Sequence, residues 1–211
     1  MEILKQVSQS LQDGDDKKVI KLIHRLIEKG VKPTTIIDEG LIAGMDIIGK
    51  KFKVHEIFLP DVLMAAKAME AGMEILKPLL SQSGKTKIGK IVLGTVRGDL
   101  HDIGKNLVAV MLKGAGFEVI DLGKDVEPKD FIETALKAEA DIIGLSTLLT
   151  TTMPVMKNVV DLLNENDHGQ NVKVIIGGAP TSREYAGDIG ADEYAFDAVS
   201  AVDSIKKLAL T

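Results

Sequence analysis

The second half of this sequence alternates between short apolar runs and longer helical patterns, and this alternation constrains the fold more than any other feature. Strands that alternate with helices form a parallel sheet covered on both faces. We therefore predict an α/β domain with a flavodoxin-like (Rossmann-like), doubly wound, five-stranded parallel sheet, whose ligand lies beyond the carboxyl ends of the strands. The predicted strands are Ile88–Val96, Phe117–Asp121, Asp141–Ser146, Val172–Ile176 and, more weakly, Glu193–Phe196, and the predicted helices are Ile103–Ala115, Pro128–Glu139, Thr152–Asn164 and Ala198–Leu208.

The first 80 residues have the apolar spacing of helices instead. Apolar residues recur on one face from Asp15 to Lys29, and further helical patterns cover Thr34–Lys51 and about Pro60–Leu80. Short connections between such helices favour an antiparallel bundle of about four helices. The polar stretch Ser81–Lys87 is typical of an interdomain linker. We therefore predict a helical domain at residues 1–84 and a sheet domain at residues 85–211.

The composition excludes several classes of function. The chain has no cysteine, so disulfides, thiolate catalysis, iron–sulfur clusters and cysteine-ligated zinc are all excluded. A net charge of −5 argues against general nucleic-acid binding, which needs a basic face. The N-terminus lacks a signal-peptide pattern, and no apolar run has the length of a membrane span, so we expect a cytoplasmic protein.

The segment Gly98–Asn106 is the first that carries chemistry, because it directly follows the first predicted strand and opens a helix. Asp99 and His101 are two residues apart, so in extended backbone their side chains project together. The carboxylate could then accept a hydrogen bond from one imidazole nitrogen and aim the other nitrogen at a metal. Gly104 would let a bulky ligand approach the backbone. The same three residues would also suit a solvated polar loop or a helix cap.

Glycine recurs at the ends of several predicted strands. Gly94 lies within the first strand, Ser146 and Leu148 follow a glycine at the end of the third, and Gly177 and Gly178 follow the fourth. Glycines spread over three strands leave a channel between sheet and helices that could admit a long ligand tail. A loop that binds only phosphate would instead concentrate its glycines in one turn.

With these motifs in order, the chain resembles the corrinoid (vitamin B12) proteins of methyltransferase systems, which are similar to the cobalamin-binding module of methionine synthase. The family motif Asp-x-His-x-x-Gly matches Asp99, His101 and Gly104. The Ser-x-Leu segment matches Ser146 and Leu148, and the Gly-Gly segment matches Gly177 and Gly178. Phe58–Met69 resembles part of the helical cap domain of that family.

The resemblance implies a cobalamin cofactor with His101 as the lower axial ligand of cobalt, in place of the cofactor's own benzimidazole. Asp99 would hydrogen-bond His101, and Ser146 would hydrogen-bond Asp99. The helical domain would cover the methyl face of the corrin. The residues expected to contact the cofactor are Gly94, Asp99, His101, Asp102, Ile103, Gly104, Ser146, Leu148, Gly177, Gly178, Met64 and Met69.

The resemblance further implies a methyl-carrying subunit, incomplete as an enzyme on its own, that serves one methyltransferase for loading and a second for unloading. A corrinoid reactivation protein would be a further partner. Three alternatives stay open from the sequence. They are a metal-dependent hydrolase that uses Asp99, His101 and Asp102, a receiver-like signalling domain, and a cobalamin-binding regulatory protein or mutase subunit. A methionine stripe at helical spacing, such as that of the Pro60–Leu80 helix, more often fills a core than contacts a cofactor. His24, His55 and His168 are interpreted as structural or solvated residues.

Overall fold

The computed structural model describes residues 2–80, 89–166, 169 and 171–209, with backbone alone at residues 77 and 80. The chain divides into two compact units. One comprises Met1–Lys87 and Lys113–Gly116, and the other comprises Ile88–Leu112 and Phe117–Thr211. The predicted linker Ser81–Lys87, the predicted boundary at residue 84 and His168 lie outside the described residues, so the boundary stays a prediction.

The first unit is a helical bundle, as its apolar spacing predicts. The side chain of Asp15 accepts a hydrogen bond from Lys18 N and so caps the second helix. Pro33 occupies the first turn of the third helix, which continues through a π-helical segment, Ile37–Ile42, into the fourth. Gly72 allows close packing against Ile23 and Leu41. The helices are α1 (Glu2–Gln12), α2 (Asp16–Glu28), α3 (Pro33–Ile36), α4 (Ala43–Lys53) and α5 (Leu59–Leu80).

The second unit contains the predicted parallel sheet, with five strands in the described residues. The strands are β1 (Lys90–Thr95), β2 (Glu118–Asp121), β3 (Ile142–Ser146), β4 (Lys173–Gly177) and β5 (Glu193–Ala195). Their order, β2-β1-β3-β4-β5, is the flavodoxin-like one, which reverses between β1 and β3. The helices are α6 (Ile103–Gly114), α7 (Pro128–Ala138), α8 (Met153–Asn164), α9 (Arg183–Ile189) and α10 (Ala198–Leu208).

Alternation along each strand gives the sheet two different faces. One face, with Val92, Ile143 and Ile176, belongs to an aliphatic core that includes Phe131 of α7 and Met156 of α8. The residues between them point to the opposite face, where they line a groove beside α6 and α10. Leu93, Gly144, Ser146, Ile175 and Gly177 are the groove-side residues of these strands, and Leu145 and Ile176 of the core also border the groove.

Candidate functional site

His101 lies in the loop between β1 and α6, at the point where the strand order reverses. Its Nδ1 is 2.7 Å from Oδ1 of Asp99, and its backbone N–H donates to the same oxygen at 3.0 Å. Thr95 Oγ1 donates to the carbonyl oxygen of His101 at 3.0 Å. The His101 side chain is 52% exposed, whereas that of Asp99 is fully buried. With Nδ1 donating to the carboxylate, Nε2 is the ring nitrogen that remains to bind a metal.

The carboxylate of Asp99 is saturated with donors. Besides the two from His101, Oδ2 accepts from Leu148 N at 2.6 Å, Leu149 N at 3.1 Å and the Thr147 hydroxyl at 2.8 Å. Burial alone would raise the pKa of Asp99. The hydrogen bonds from His101, Leu148 and Thr147 outweigh burial and hold this pKa well below its ordinary value. The group at the base of the site is therefore an ionised carboxylate that fixes the orientation of the imidazole.

The predicted hydrogen bond from Ser146 to Asp99 is wrong, because Thr147 makes it instead. Side chains alternate along β3, so Ser146 lines the groove while Thr147 is buried on the opposite side, next to Asp99. The Thr147 hydroxyl is also 2.6 Å from that of Thr152, whose Oγ1 is 3.3 Å from Asp99 Oδ2. The observed chain of polar groups thus runs from Thr152 through Thr147 and Asp99 to His101.

A groove next to this loop encloses about 150 Å³ and is bordered by β1, β3, β4, β5, α6 and α10. Of the predicted residues, Gly104, Ser146, Gly177 and Gly178 line it, as expected for a ligand channel. A Cβ added at Gly104 would meet no other atom within 4 Å, so the glycine leaves open space at this position. Most of the other lining side chains are apolar, including Leu93, Val108, Ile175, Phe196 and Ile205.

Gly94, a predicted cofactor contact, does not line the groove, because this residue faces the opposite side of the sheet, and its assignment to the cofactor stays a prediction. A Cβ at Gly94 would lie 2.6 Å from the ring of Phe131, so the glycine allows this ring to pack closely against β1 in the core. Gly144, which pairs with Leu93 in the register of β1 and β3, lines the groove instead, and a Cβ there would lie 2.7 Å from Leu93 Cδ1.

Gly178 has a second role beside lining the groove. Its φ of +123° is one that side-chain-bearing residues rarely adopt, and a Cβ there would collide with the Thr147 carbonyl oxygen. The glycine therefore lets the loop after β3 pass close to β4, which is the position from which Thr147 reaches Asp99.

The remaining predicted contacts differ in their accessibility. Ile103 is 80% exposed and Leu148 46%, so both present apolar surface close to His101. The backbone carbonyl of Asp102 accepts from Asn106 N at 2.8 Å in the first turn of α6. Met64 is 53% exposed. Met69 is buried on the face of α5 that also carries Gly72 and Leu76, where it fills the helical core, and its assignment to the cofactor stays a prediction.

Lys105, in the first turn of α6, is buried against the groove, where its Nζ is 2.6 Å from both carboxylate oxygens of Asp121 and 2.7 Å from Asn106 Oδ1. A buried lysine is stable only when it is paired in this way. The pair links the first turn of α6 to the end of β2.

The site offers one imidazole nitrogen as a metal ligand. This suits a bound group whose metal already has its other ligands. Within the described residues, no three His, Asp or Glu side chains are grouped so that they could hold a metal ion. A hydrolytic site would need two or three further ligands close to His101. The hydrolase alternative is therefore not favoured.

Comparison with known proteins identifies the family. Two family models, each described as a B12 binding domain, match residues 89–203 and residues 3–77. This chain belongs to the B12-binding corrinoid protein family. It is 52% identical to dimethylamine corrinoid protein 1 of Methanosarcina acetivorans over 177 residues, and this aligned region covers 83% of each chain.

Solved structures of B12-binding proteins share the fold of this corrinoid protein. The methanol:cobalamin methyltransferase complex MtaBC of Methanosarcina barkeri matches 99% of this chain and 80% of that chain, with a TM-score of 0.85 and 30% identity. A cobalamin-binding protein of Desulfitobacterium hafniense matches 97% and 98% of the two chains, with a TM-score of 0.78 and 32% identity. Among the described residues, no helix of this corrinoid protein is long and apolar enough to span a membrane.

Proposed function

We propose that this corrinoid protein carries a methyl group on cobalt between two methyltransferases. The observation that carries the proposal is the orientation of His101. Asp99 holds Nδ1 at 2.7 Å, which leaves Nε2 on a half-exposed ring beside a glycine-lined groove. The relative from Methanosarcina acetivorans is named for dimethylamine and the complex from Methanosarcina barkeri for methanol, and both names support methyl transfer.

His101 would hold the corrinoid through Nε2, and the bound cofactor would supply a cobalt centre that accepts and gives up a methyl group. Asp99 fixes the imidazole in the tautomer with a proton on Nδ1, which is the form that coordinates through Nε2. The Thr147 hydroxyl keeps the carboxylate of Asp99 in place.

The groove would hold the nucleotide tail of the cofactor. Its apolar lining and open space at Gly104 suit a flat aromatic base, and its glycines leave room for that base against the sheet. With its tail in the groove, the cofactor would be held by His101 in place of its own base.

The helical unit, taken by itself, carries exposed apolar side chains at Val54, Phe58, Leu63 and Met64. Such a surface supports the role predicted for this unit, which is to cover the cofactor and exclude water during methyl transfer. A substrate-specific methyltransferase, a second methyltransferase and a reactivation protein are the partners that we propose for the chain, with the cytoplasm as its location.

The proposal is tested by reconstituting the purified chain with hydroxocobalamin and removing free cofactor by gel filtration. After chemical reduction, the protein is mixed with dimethylamine and a dimethylamine:corrinoid methyltransferase, or with methanol and its methyltransferase. We expect the absorption spectrum of a methylated corrinoid in one of the two mixtures, and His101→Ala should lose most of this signal. Failure to retain the cofactor, or a methylated-corrinoid signal that His101→Ala keeps in full, would overturn the proposal.

A further inference from the structure

The loop that carries His101 is held by a second stretch of chain, Leu122–Glu127, which follows β2. Backbone hydrogen bonds join the two, from Leu122 N to Leu93 O at 2.8 Å, from Thr95 N to Gly123 O at 2.9 Å and from Val126 N to Thr95 O at 3.0 Å. Val96 and Val126 form an isolated bridge at the end of this ladder. The ladder places Asp125 directly beside the turn that leads to His101.

Asp125 contacts this turn on both sides of the Gly98–Asp99 peptide. Its carboxylate Oδ1 accepts from Gly98 N at 2.7 Å, and its own N–H donates to the carbonyl oxygen of Asp99 at 3.1 Å. Asp99 in turn binds both the backbone and the imidazole of His101. A displacement of the Gly98–Asp99 peptide would therefore move the imidazole as well.

The backbone of Asp125 has a conformation that few residues tolerate. Its φ is +57°, in the left-handed region, where residues with side chains are uncommon and Asn and Asp are several-fold enriched. Such conformations persist where the surrounding contacts require them, and they cluster near functional sites. Here the left-handed backbone turns both the N–H and the carboxylate of one residue towards the loop after β1.

We propose that Asp125 is a positioning residue for His101, which acts through the Gly98–Asp99 peptide to present the imidazole in its ligating orientation. The inference rests on the proposed role of His101 as the cobalt ligand. Small losses of preorganisation at a metal ligand change affinity and redox properties without unfolding the protein. Asp125 therefore influences the metal although it touches neither the cofactor groove nor the imidazole.

Three substitutions separate the two features of Asp125. Asp125→Ala removes the acceptor and strains the left-handed backbone, whereas Asp125→Gly removes the acceptor and keeps that backbone accessible. Asp125→Asn keeps both, because its amide oxygen can accept from Gly98 N and asparagine tolerates a positive φ. Lys124→Ala, at an exposed neighbour in the same loop, is the matched control.

The first measurement is amide hydrogen exchange in the cofactor-free protein. We expect the His101 N–H, which Asp125 does not touch, to exchange at least about fivefold faster in Asp125→Ala and Asp125→Gly, the effect of losing one hydrogen bond. Asp125→Asn and Lys124→Ala should exchange as the wild type does. Unchanged exchange of the His101 N–H in both acceptor-free variants would overturn the proposal. Exchange in Asp125→Asn as fast as in Asp125→Ala would overturn it as well.

The second measurement is the cobalt(II)/cobalt(I) midpoint potential of the cobalamin-reconstituted variants. An axial ligand stabilises cobalt(II), so weaker ligation by His101 should move the potential to a less negative value in Asp125→Ala and Asp125→Gly. His101→Ala sets the limit of that shift. Acceptor-free variants with the wild-type potential would overturn the inference about Asp125 alone. A wild type whose potential equals that of His101→Ala would overturn the proposed function and this inference together.

Discussion

At the scale of single residues, the site depends on a buried carboxylate whose charge is balanced by donors. Asp99 accepts from two groups of His101 and from the hydroxyl and N–H groups of the loop after β3. A buried charge with this many donors is stable, but each donor would be left unpaired if the carboxylate were lost. The stability of the cofactor-free protein should therefore report on the network directly.

Replacement of Asp99 by Asn should destabilise the cofactor-free protein by about 3 kcal/mol at neutral pH, because an amide NH₂ would face donors that need an acceptor. The folded-state pKa of Asp99 is depressed, so its contribution is present above the unfolded pKa, near 3.8, and is lost as the pH falls through the lower folded value. Urea unfolding from pH 7 downwards should show the difference between the two proteins shrinking below about pH 4. A pH-independent difference would contradict the ionised carboxylate.

Substitutions at the last residue of β3 and at the residue that follows it distinguish the observed network from the predicted one. Thr147→Val keeps the shape of a buried side chain and removes its hydroxyl, so it should cost about 1–2 kcal/mol of unfolding free energy. Ser146→Ala, on the groove side, should change stability by less than about 0.5 kcal/mol. Equal effects of the two substitutions would show that Thr147 does not support Asp99.

The hydrogen bond between Asp99 and His101 could be predicted from their spacing and is present, whereas its support by Ser146 could not. The choice between Ser146 and Thr147 depends on which residue of β3 faces the core, and a shift of one position reverses it. The alternation of Ile143, Leu145 and Thr147 on the core face was the signal that could have decided it. Asp125 and Lys105 act through partners far away in sequence, which no local pattern reveals.

At the scale of secondary structure elements, alternation of apolar runs predicted the sheet well because buried parallel strands are apolar throughout. Helix α9 was not predicted, since it has seven residues, includes Gly187 and buries only Ala186 and Ile189. The π-helical segment within the predicted Thr34–Lys51 helix also has no sequence signal of its own. Short and irregular elements depend on packing, and local spacing does not contain that information.

The glycines of the two sheet faces should respond differently to substitution. Gly94→Ala would collide with Phe131 in the core, so it should cost about 2 kcal/mol or more of unfolding free energy. Gly104→Ala meets no atom in the first turn of α6, so it should leave stability unchanged or raise it slightly.

Cobalamin affinity should respond in the opposite way to stability. Among folded proteins, Gly104→Ala should weaken the affinity more than Gly94→Ala does. Gly104 borders the groove, so a methyl group there should weaken cobalamin binding several-fold while the protein stays folded. Parallel thermal unfolding and equilibrium dialysis with cobalamin would measure both properties. A Gly104→Ala protein with wild-type affinity would contradict the groove as the binding site.

At the scale of the whole molecule, the order of motifs carried more information than any single motif. Asp-x-His-x-x-Gly alone also suits a polar loop, but its combination with Ser146, Leu148, Gly177 and Gly178 at successive strand ends predicted the family that the comparisons identify. The methyl donor could not be predicted, because the chemistry of the donor would be selected by a partner protein. One B12-binding model matches residues 3–77 and the other residues 89–203, and the domain boundary at residue 84 stays a prediction.

The central claim is that Nε2 of His101 replaces the cofactor's own base beneath cobalt. Protein labelled with ¹⁵N-histidine and reconstituted with unlabelled cobalamin in the cobalt(II) state would test it by electron paramagnetic resonance. A ¹⁵N ligand splits each cobalt line into a doublet, whereas the unlabelled benzimidazole gives a triplet. We predict doublets in the wild type and none in His101→Ala. Triplets that are insensitive to the label would show that the cofactor keeps its own base, and would contradict the account.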